Sequence, residues 1–226
     1  MENIDIICMW IAELVPLFAT MSSFIYGLNK FFKKGKPLFL QSITMAMGSH
    51  ALGSIYHLCQ TLTTETVLEG FTPAYLGRIG FFLFFIAASY GQMDRIVDDG
   101  SKKIRHTRYI ALIAPLCAIL LYLPNGLMED LPTATKIAVL LVWLPAIFSV
   151  YYNLKHSIIP NVDFGFVKAI KPYNILATCL GFAELLCLTA WDYLYKTQLV
   201  ITSVIFAVLC VALMLAAKKG AERWTI

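Results

Sequence analysis

Residues 199–217 read LVITSVIFAVLCVALMLAA, a run of 19 residues without a charged side chain. A helix needs about 20 mostly apolar residues to cross the hydrocarbon core of a membrane. Lipid offers no hydrogen-bond partner to a free backbone N–H or C=O group, so a crossing segment of this length has to be helical. The stretch therefore predicts a transmembrane helix.

The rest of the 226-residue chain has the same character. Apolar residues make up 59% of the sequence and charged residues 14%, whereas soluble proteins average about 45–50% and about 25%. So few polar side chains cannot cover the surface of a soluble fold, which excludes secreted, disulfide-stabilised and nucleic-acid-binding proteins. A multi-pass membrane protein is predicted, with membrane lipids as partners and no nucleic acid.

We predict an all-α fold in which residues 1–226 form a single domain of seven transmembrane helices. The predicted spans are about 5–28, 38–62, 73–93, 107–124, 134–153, 173–194 and 198–217. Some prolines are expected in the first turn of a helix, where a missing N–H costs nothing: Pro37, Pro73 and Pro172. Others fall inside spans and are expected to kink them: Pro16, Pro115 and Pro145.

Lysine and arginine are distributed unevenly between the two sides of the predicted bundle. Segments 29–37, 94–108, 154–172 and 218–226 contain 15 of the 18 basic residues. Because short cytoplasmic loops are rich in these residues, the N-terminus is predicted outside and the C-terminus in the cytoplasm. The sequence has no N-glycosylation sequon, and we expect the cytoplasmic (inner) membrane of a bacterium.

Several ionisable side chains fall deep within the predicted spans: Glu13, His50, His57, Arg78 and Glu184. A charge inside a bilayer is costly, so such groups occur where they pair, face a cavity or take part in chemistry. Counted along the helices, all of them lie at mid-membrane or in the outer half. They predict a polar pocket that opens to the outside.

The second span adds a polar stripe to this set. His50, Ser54, His57 and Thr61 follow each other at steps of four, three and four residues, which places them on one face of a helix. Such a face has to meet protein or water instead of lipid. We predict a functional cavity along it; the alternative is that the stripe only hydrogen-bonds neighbouring helices.

Glu13 lies one turn before Pro16 in the first span. Proline has no N–H, so the carbonyl of Ala12, four residues earlier, loses its helical donor. A free carbonyl beside a carboxylate predicts a cation or proton site. The alternative is that Glu13 pairs with Arg78 or a histidine and only holds helices together.

The other two charged groups are interpreted in the same way. Arg78 keeps its charge under all physiological conditions and is expected to pair with Glu13 or Glu184. Glu184 is predicted to be a proton carrier, a ligand contact or a buried neutral carboxyl group. The candidate ligand-binding or proton-relay residues are therefore Glu13, His50, Ser54, His57, Arg78 and Glu184.

Two short motifs resemble the CREST superfamily of seven-helix membrane proteins, which includes haemolysin III, the progestin/adiponectin receptors and the alkaline ceramidases. Gly53-Ser54-Ile55-Tyr56-His57 is similar to the Ser-x-x-x-His at the end of the family's second helix. Ile86-Ala87-Ala88-Ser89-Tyr90 is similar to the Ile-Ala-Gly-Thr-Tyr that follows the third-helix Asp in haemolysin III proteins. The resemblance implies the same seven-helix scaffold.

The resemblance also implies a zinc site in members that hydrolyse amides, where three histidines hold the ion. In this sequence only His57 stands at a ligand position, because the family's Ser falls on Gly53 and its Asp on Arg78. The seventh-helix histidines would fall near Gln198 and Thr202. One imidazole does not make a zinc site, so neither a metal nor another cofactor is predicted, and a non-enzyme is favoured.

Three functions follow from these patterns. The favoured one is binding of a small molecule or lipid in the outward-facing pocket, as in a receptor or sensor on a non-catalytic CREST-like scaffold. The first alternative is a small-solute or proton-coupled transporter in which Glu13, His50 and Glu184 titrate. The second alternative is an intramembrane hydrolase of the ceramidase type.

Overall fold

The computed structural model describes residues 2–63, 70–90, 100, 102–127, 132–159, 165–193 and 196–224. Within these residues the secondary structure is helical, without a strand, which confirms the all-α prediction for this part of the chain. The helices are α1 (Glu2–Phe31), α2 (Leu38–Thr63), α3 (Pro73–Ala88), α4 (Lys102–Ala111), α5 (Ile113–Leu127), α6 (Thr133–Ile158), α7 (Gly165–Tyr193) and α8 (Lys196–Trp224).

Five stretches of the described helices are long and apolar enough to cross a membrane. They are Ile6–Phe31, Ile104–Leu123, Thr133–Ile158, Ile170–Thr189 and Gln198–Glu222. The 26 residues of α2 include the polar stripe, which lowers the hydropathy of this helix. The described part of α3 is apolar and 16 residues long. These helices are consistent with an integral membrane protein.

The helices extend beyond several of the predicted spans. α1 exceeds the span 5–28 at both ends, and α7 begins at Gly165 instead of residue 173. The predicted ends at residues 93 and 194 lie outside the described residues. A membrane helix continues past the hydrocarbon core into the polar interface, so spans predicted from hydropathy alone are shorter than the helices.

The structure confirms some of the predicted proline positions and contradicts one. Pro73 occupies the first turn of α3, and Pro16 and Pro145 lie inside α1 and α6. The prediction for Pro172 was wrong, because this residue lies inside α7. The helix continues through Pro172, and the backbone carbonyl four residues earlier goes without its helical donor.

Pro115 is the third residue of α5, just after a break in the helical path. The N–H of Leu112 donates to the carbonyl of Tyr109 at 3.2 Å, a tighter turn than that of an α-helix. Pro115 cannot donate to the carbonyl of Ala111, which explains why α4 and α5 meet here as separate helices. The fourth predicted span, 107–124, therefore comprises parts of two helices.

Six of the described helices pack side by side in a closed ring, in the order α1, α2, α3, α6, α7 and α8. α8 completes the ring by packing against α1. α4 and α5 lie outside it against α6, where the indole N–H of Trp143 donates to the carbonyl of Ala118 at 2.8 Å. The ring brings together inner faces of helices that are distant in the sequence.

The surface of the bundle is rich in exposed apolar side chains. Phe18, Leu52 and Val208 expose 68%, 69% and 62% of their surface, and they lie on three different helices. Large apolar areas of this kind are rare on soluble monomers. These exposed side chains, like the long apolar helices, are consistent with an integral membrane protein.

α2 and α3 approach each other closely because two glycines face each other. A Cβ atom on Gly77 would lie 2.5 Å from the Cα of Gly53 and 2.7 Å from the carbonyl oxygen of Ser49. The hydroxyl of Ser49 donates to the carbonyl of Gly77 at 3.0 Å. This contact fixes the position of Arg78, the next residue of α3, relative to α2.

Candidate functional site

The centre of the candidate site is the Glu184 carboxylate on α7. Nε2 of His50 on α2 lies 3.1 Å from its Oε2, and Nε of Arg78 on α3 donates to its Oε1 at 3.1 Å. The side chains of His50 and Glu184 are each only 3% exposed. Of the two partners predicted for Arg78, the structure pairs it with Glu184. Together with His50, the cluster joins three helices.

The imidazole of His50 contacts two aromatic rings and two polar side chains. It stacks on Phe206 of α8, with ring centroids 4.8 Å apart, and meets the edge of Phe81 at 5.3 Å. Its Nδ1 lies 3.3 Å from the hydroxyl of Ser54. In a neutral ring whose Nε2 donates to Glu184, Nδ1 accepts a hydrogen bond from Ser54. Hydrogen bonds then connect the Ser54 hydroxyl through the His50 ring to the Glu184 carboxylate.

Glu13 contacts the second histidine instead of Arg78. Its Oε1 lies 3.4 Å from Nε2 of His57, an ion-pair distance longer than a good hydrogen bond. The Glu13 side chain is 8% exposed and that of His57 24% exposed. Each histidine of the α2 stripe therefore faces a different carboxylate, one from α1 and one from α7.

Both carboxylates border one cavity inside the helix ring. Its volume is about 40 Å³, room for about three water molecules. The residues that line it include all the predicted site residues: Ala12, Glu13, Pro16, His50, Ser54, His57, Arg78, Glu184, Cys187 and Ser203. Thr61, the last member of the stripe, instead donates to the carbonyl of His57 at 3.0 Å.

Two lining residues, Cys187 and Ser203, were not among the predicted site residues. Cys187 follows Glu184 by one helical turn, a spacing that places both on one face. Ser203 belongs to the very apolar span quoted first, where Thr202 and Ser203 are the only hydroxyl residues. A pair of polar residues in such a span was the signal that could have identified α8 as part of the site.

A second buried polar cluster joins α3 and α6 away from the cavity. The hydroxyl of Ser89 donates to Oδ1 of Asn153 at 2.8 Å, and Nδ2 of Asn153 donates to the carbonyl of Ser149 at 2.9 Å. The spacing of Ser149 and Asn153, four residues on one helix, was the sequence signal for it. Its groups satisfy one another, so we assign it a structural role.

The described residues include no group of three or more His, Cys, Asp or Glu side chains that could hold a metal ion. His50 and His57 are turned toward different carboxylates, Glu184 and Glu13. Arg78 adds a positive charge to the same cavity. The arrangement suits hydrogen bonding and charge pairing better than coordination of zinc.

Comparisons with known proteins give no indication of what the site does. No protein-family model, curated protein or solved structure matches the chain. The resemblance to the CREST superfamily therefore rests on the two short motifs alone. In the first of these, Ser54 and His57 line the cavity, and Gly53 provides the close contact with α3.

Proposed function

We propose that this chain is a seven-span membrane protein that binds a small polar molecule in the cavity beside Glu184. In this proposal α2 and α3 cross the membrane together with the apolar helices, and α4 and α5 form one crossing. The N-terminus lies outside and the C-terminus in the cytoplasm, as the distribution of Lys and Arg favours. The protein acts as a receptor or sensor on a non-catalytic CREST-like scaffold.

One observation carries the binding proposal: charged groups of both signs line one cavity within a largely apolar bundle. Burying a guanidinium and two carboxylates is costly, and the Ser89–Asn153 cluster holds helices together with neutral groups only. The Arg78 side chain, 19% exposed, contributes a positive charge to the cavity lining, and Glu13 contributes a negative charge. A cavity of about 40 Å³ suits a small polar solute and is too small for a lipid acyl chain.

The test is a thermal-shift panel of amino acids, small carboxylates, amines and polyols with the purified protein in detergent. A ligand that binds only the folded state at 100 times its Kd adds about 2.7 kcal/mol to stability. Ser54→Ala, which removes a cavity hydroxyl, is expected to weaken binding about fivefold, the cost of about one hydrogen bond.

Ser42→Ala is the matched control, because Ser42 lies on the same helix and its hydroxyl donates to the carbonyl of Leu38 at 3.2 Å. This variant is expected to bind as the wild type does. Absence of any response across the panel contradicts the proposal. So does an equal effect of the two serine substitutions.

The second candidate is a proton-coupled carrier of the same solute. The observation that favours it is the row of exchangeable groups along α2, in which His57 faces Glu13 while Ser54 and His50 lead to Glu184. Water in the cavity would connect the two halves of this row. Uptake into proteoliposomes driven by a pH gradient, lost in Glu13→Gln and Glu184→Gln, distinguishes a carrier from a receptor.

The hydrolase alternative is the weakest of the three. His57 is the one residue at a zinc-ligand position of the CREST resemblance, and its imidazole faces Glu13. Elemental analysis of the purified protein tests this alternative directly. Zinc at one equivalent per chain would favour the hydrolase and overturn the receptor proposal.

A further inference from the structure

The two oxygens of the Glu13 carboxylate differ in their contacts with the described residues. Oε1 faces His57, whereas Oε2 is buried and accepts no hydrogen bond from the described residues. The side chain is 92% buried and borders the cavity. A buried carboxylate oxygen without a protein donor requires another partner, and the cavity beside it has room for an occupant.

Pro16 provides a second, independent indication at the same place. It lies inside α1 and lines the cavity, as does Ala12. The carbonyl of Ala12 has no helical N–H donor, because proline cannot supply one. Free carbonyls at interruptions of membrane helices coordinate small cations in transporters. A carboxylate and a residue whose carbonyl lacks its usual helical donor therefore both line the cavity.

The charge of the cavity indicates the sign and size of the occupant. Its ionisable lining consists of two carboxylates, one guanidinium, two imidazoles and a thiol: Glu13, Glu184, Arg78, His50, His57 and Cys187. Among the carboxylates and the guanidinium, two negative charges face one positive charge. One added positive charge makes the cluster neutral, and two would leave it charged again.

We propose that Glu13 binds one exchangeable monovalent cation, a sodium ion or a proton, at its Oε2 oxygen. Glu184 is not the site, because Arg78 and His50 already contact both of its oxygens. A divalent cation fits less well, because Ca²⁺ takes about six to eight oxygen ligands and a charge of two exceeds the one carboxylate that Arg78 does not pair with. The inference rests on the proposed function, since it assigns a bound ion to the same cavity as the proposed solute.

The experiment measures the Tm of the purified full-length protein in detergent, without organic solute. In the first arm NaCl is titrated into sodium-free buffer at constant pH and ionic strength, with KCl and choline chloride as comparisons. In the second arm the pH is lowered from 8 to 5 without sodium. A bound cation stabilises the folded state, so Tm rises with sodium concentration, or rises as the pH falls if the proton is the ion.

Three variants make the test specific to Glu13. Glu13→Gln keeps the shape and removes the charge, and it is expected to weaken the cation response about tenfold or more. Pro16→Ala returns a donor to the Ala12 carbonyl and is expected to weaken it about three- to tenfold. Glu222→Gln removes an exposed carboxylate that lies 3.8 Å from Lys218, and it is expected to respond as the wild type does.

Each outcome decides the proposal. A sodium response above those of potassium and choline, lost in Glu13→Gln, identifies the ion as sodium; a pH response alone, lost in the same variant, identifies it as a proton. Wild-type protein that responds to neither, or Glu13→Gln that responds fully, overturns the proposal. A cation response without any response in the solute panel retains this inference and contradicts the proposed function; the reverse result contradicts this inference alone.

Discussion

At the scale of single residues, the site depends on how Glu184 is satisfied. Its two oxygens face donors from two other helices, Arg78 and His50, at 3.1 Å each. The Glu184 side chain is 3% exposed, so only the few water molecules that fit the cavity could replace a lost partner. Neutralising one member of such a cluster leaves the other buried without its counter-charge.

Glu184→Gln is expected to lower the free energy of unfolding by about 3–5 kcal/mol, because Arg78 remains charged and loses its carboxylate. The amide keeps the shape of the side chain and a hydrogen bond to His50. Unfolding in a mixed-micelle denaturant series measures the loss.

The control is the double variant Glu184→Gln with Arg78→Met, which also removes the guanidinium. It is expected to recover part of the lost stability, since an apolar side chain of similar length has no charge to compensate. A double variant less stable than Glu184→Gln alone would show that the ion pair is not the source of the effect.

At the scale of elements, the contact between α2 and α3 positions Arg78 relative to the α2 side of the site. Ser49, Gly53 and Gly77 let the two helices approach so closely that backbone atoms touch. Small residues permit such contacts between membrane helices. Because Arg78 follows Gly77 directly, a shift of α3 moves the guanidinium away from Glu184.

Gly77→Ala is expected to lower stability by about 1–3 kcal/mol or more, the range for overpacking. Its Cβ would lie 2.5 Å from the Cα of Gly53, and backbone atoms cannot rotate away. The same measurement on Gly181→Ala is the comparison, because the new Cβ there meets a side-chain atom of Val150 at 2.8 Å. An equal or larger loss in Gly181→Ala would contradict the importance of the α2–α3 contact.

At the scale of the whole molecule, the orientation in the membrane is the prediction that remains to be tested. Lys34→Cys places a thiol in the turn between α1 and α2, and Phe71→Cys places one just before α3. In a background without the six native cysteines, a membrane-impermeant maleimide is expected to label Phe71→Cys in intact cells. Lys34→Cys is expected to react only after permeabilisation. The reverse pattern would place the N-terminus inside.

Much of the fold followed from composition and hydropathy. The helical class and the positions of the long apolar helices are local properties, because a segment of about 20 apolar residues has few alternatives in lipid. Helix ends were less accurate: α7 begins at Gly165 and passes through Pro172, although the sequence predicted Pro172 in the first turn. Neighbouring helices in a bundle compensate for a missing N–H in ways that a local rule does not include.

The sequence by itself indicated which groups had to lie inside the bundle, away from lipid. Glu13, His50, His57, Arg78 and Glu184 are too costly to face lipid, and the spacing along α2 placed Ser54 with them. Only the tertiary structure decided which groups meet: Glu184 with Arg78 and His50, and Glu13 with His57. Pairing depends on how helices distant in the sequence are ordered around the ring, and that order results from packing between elements.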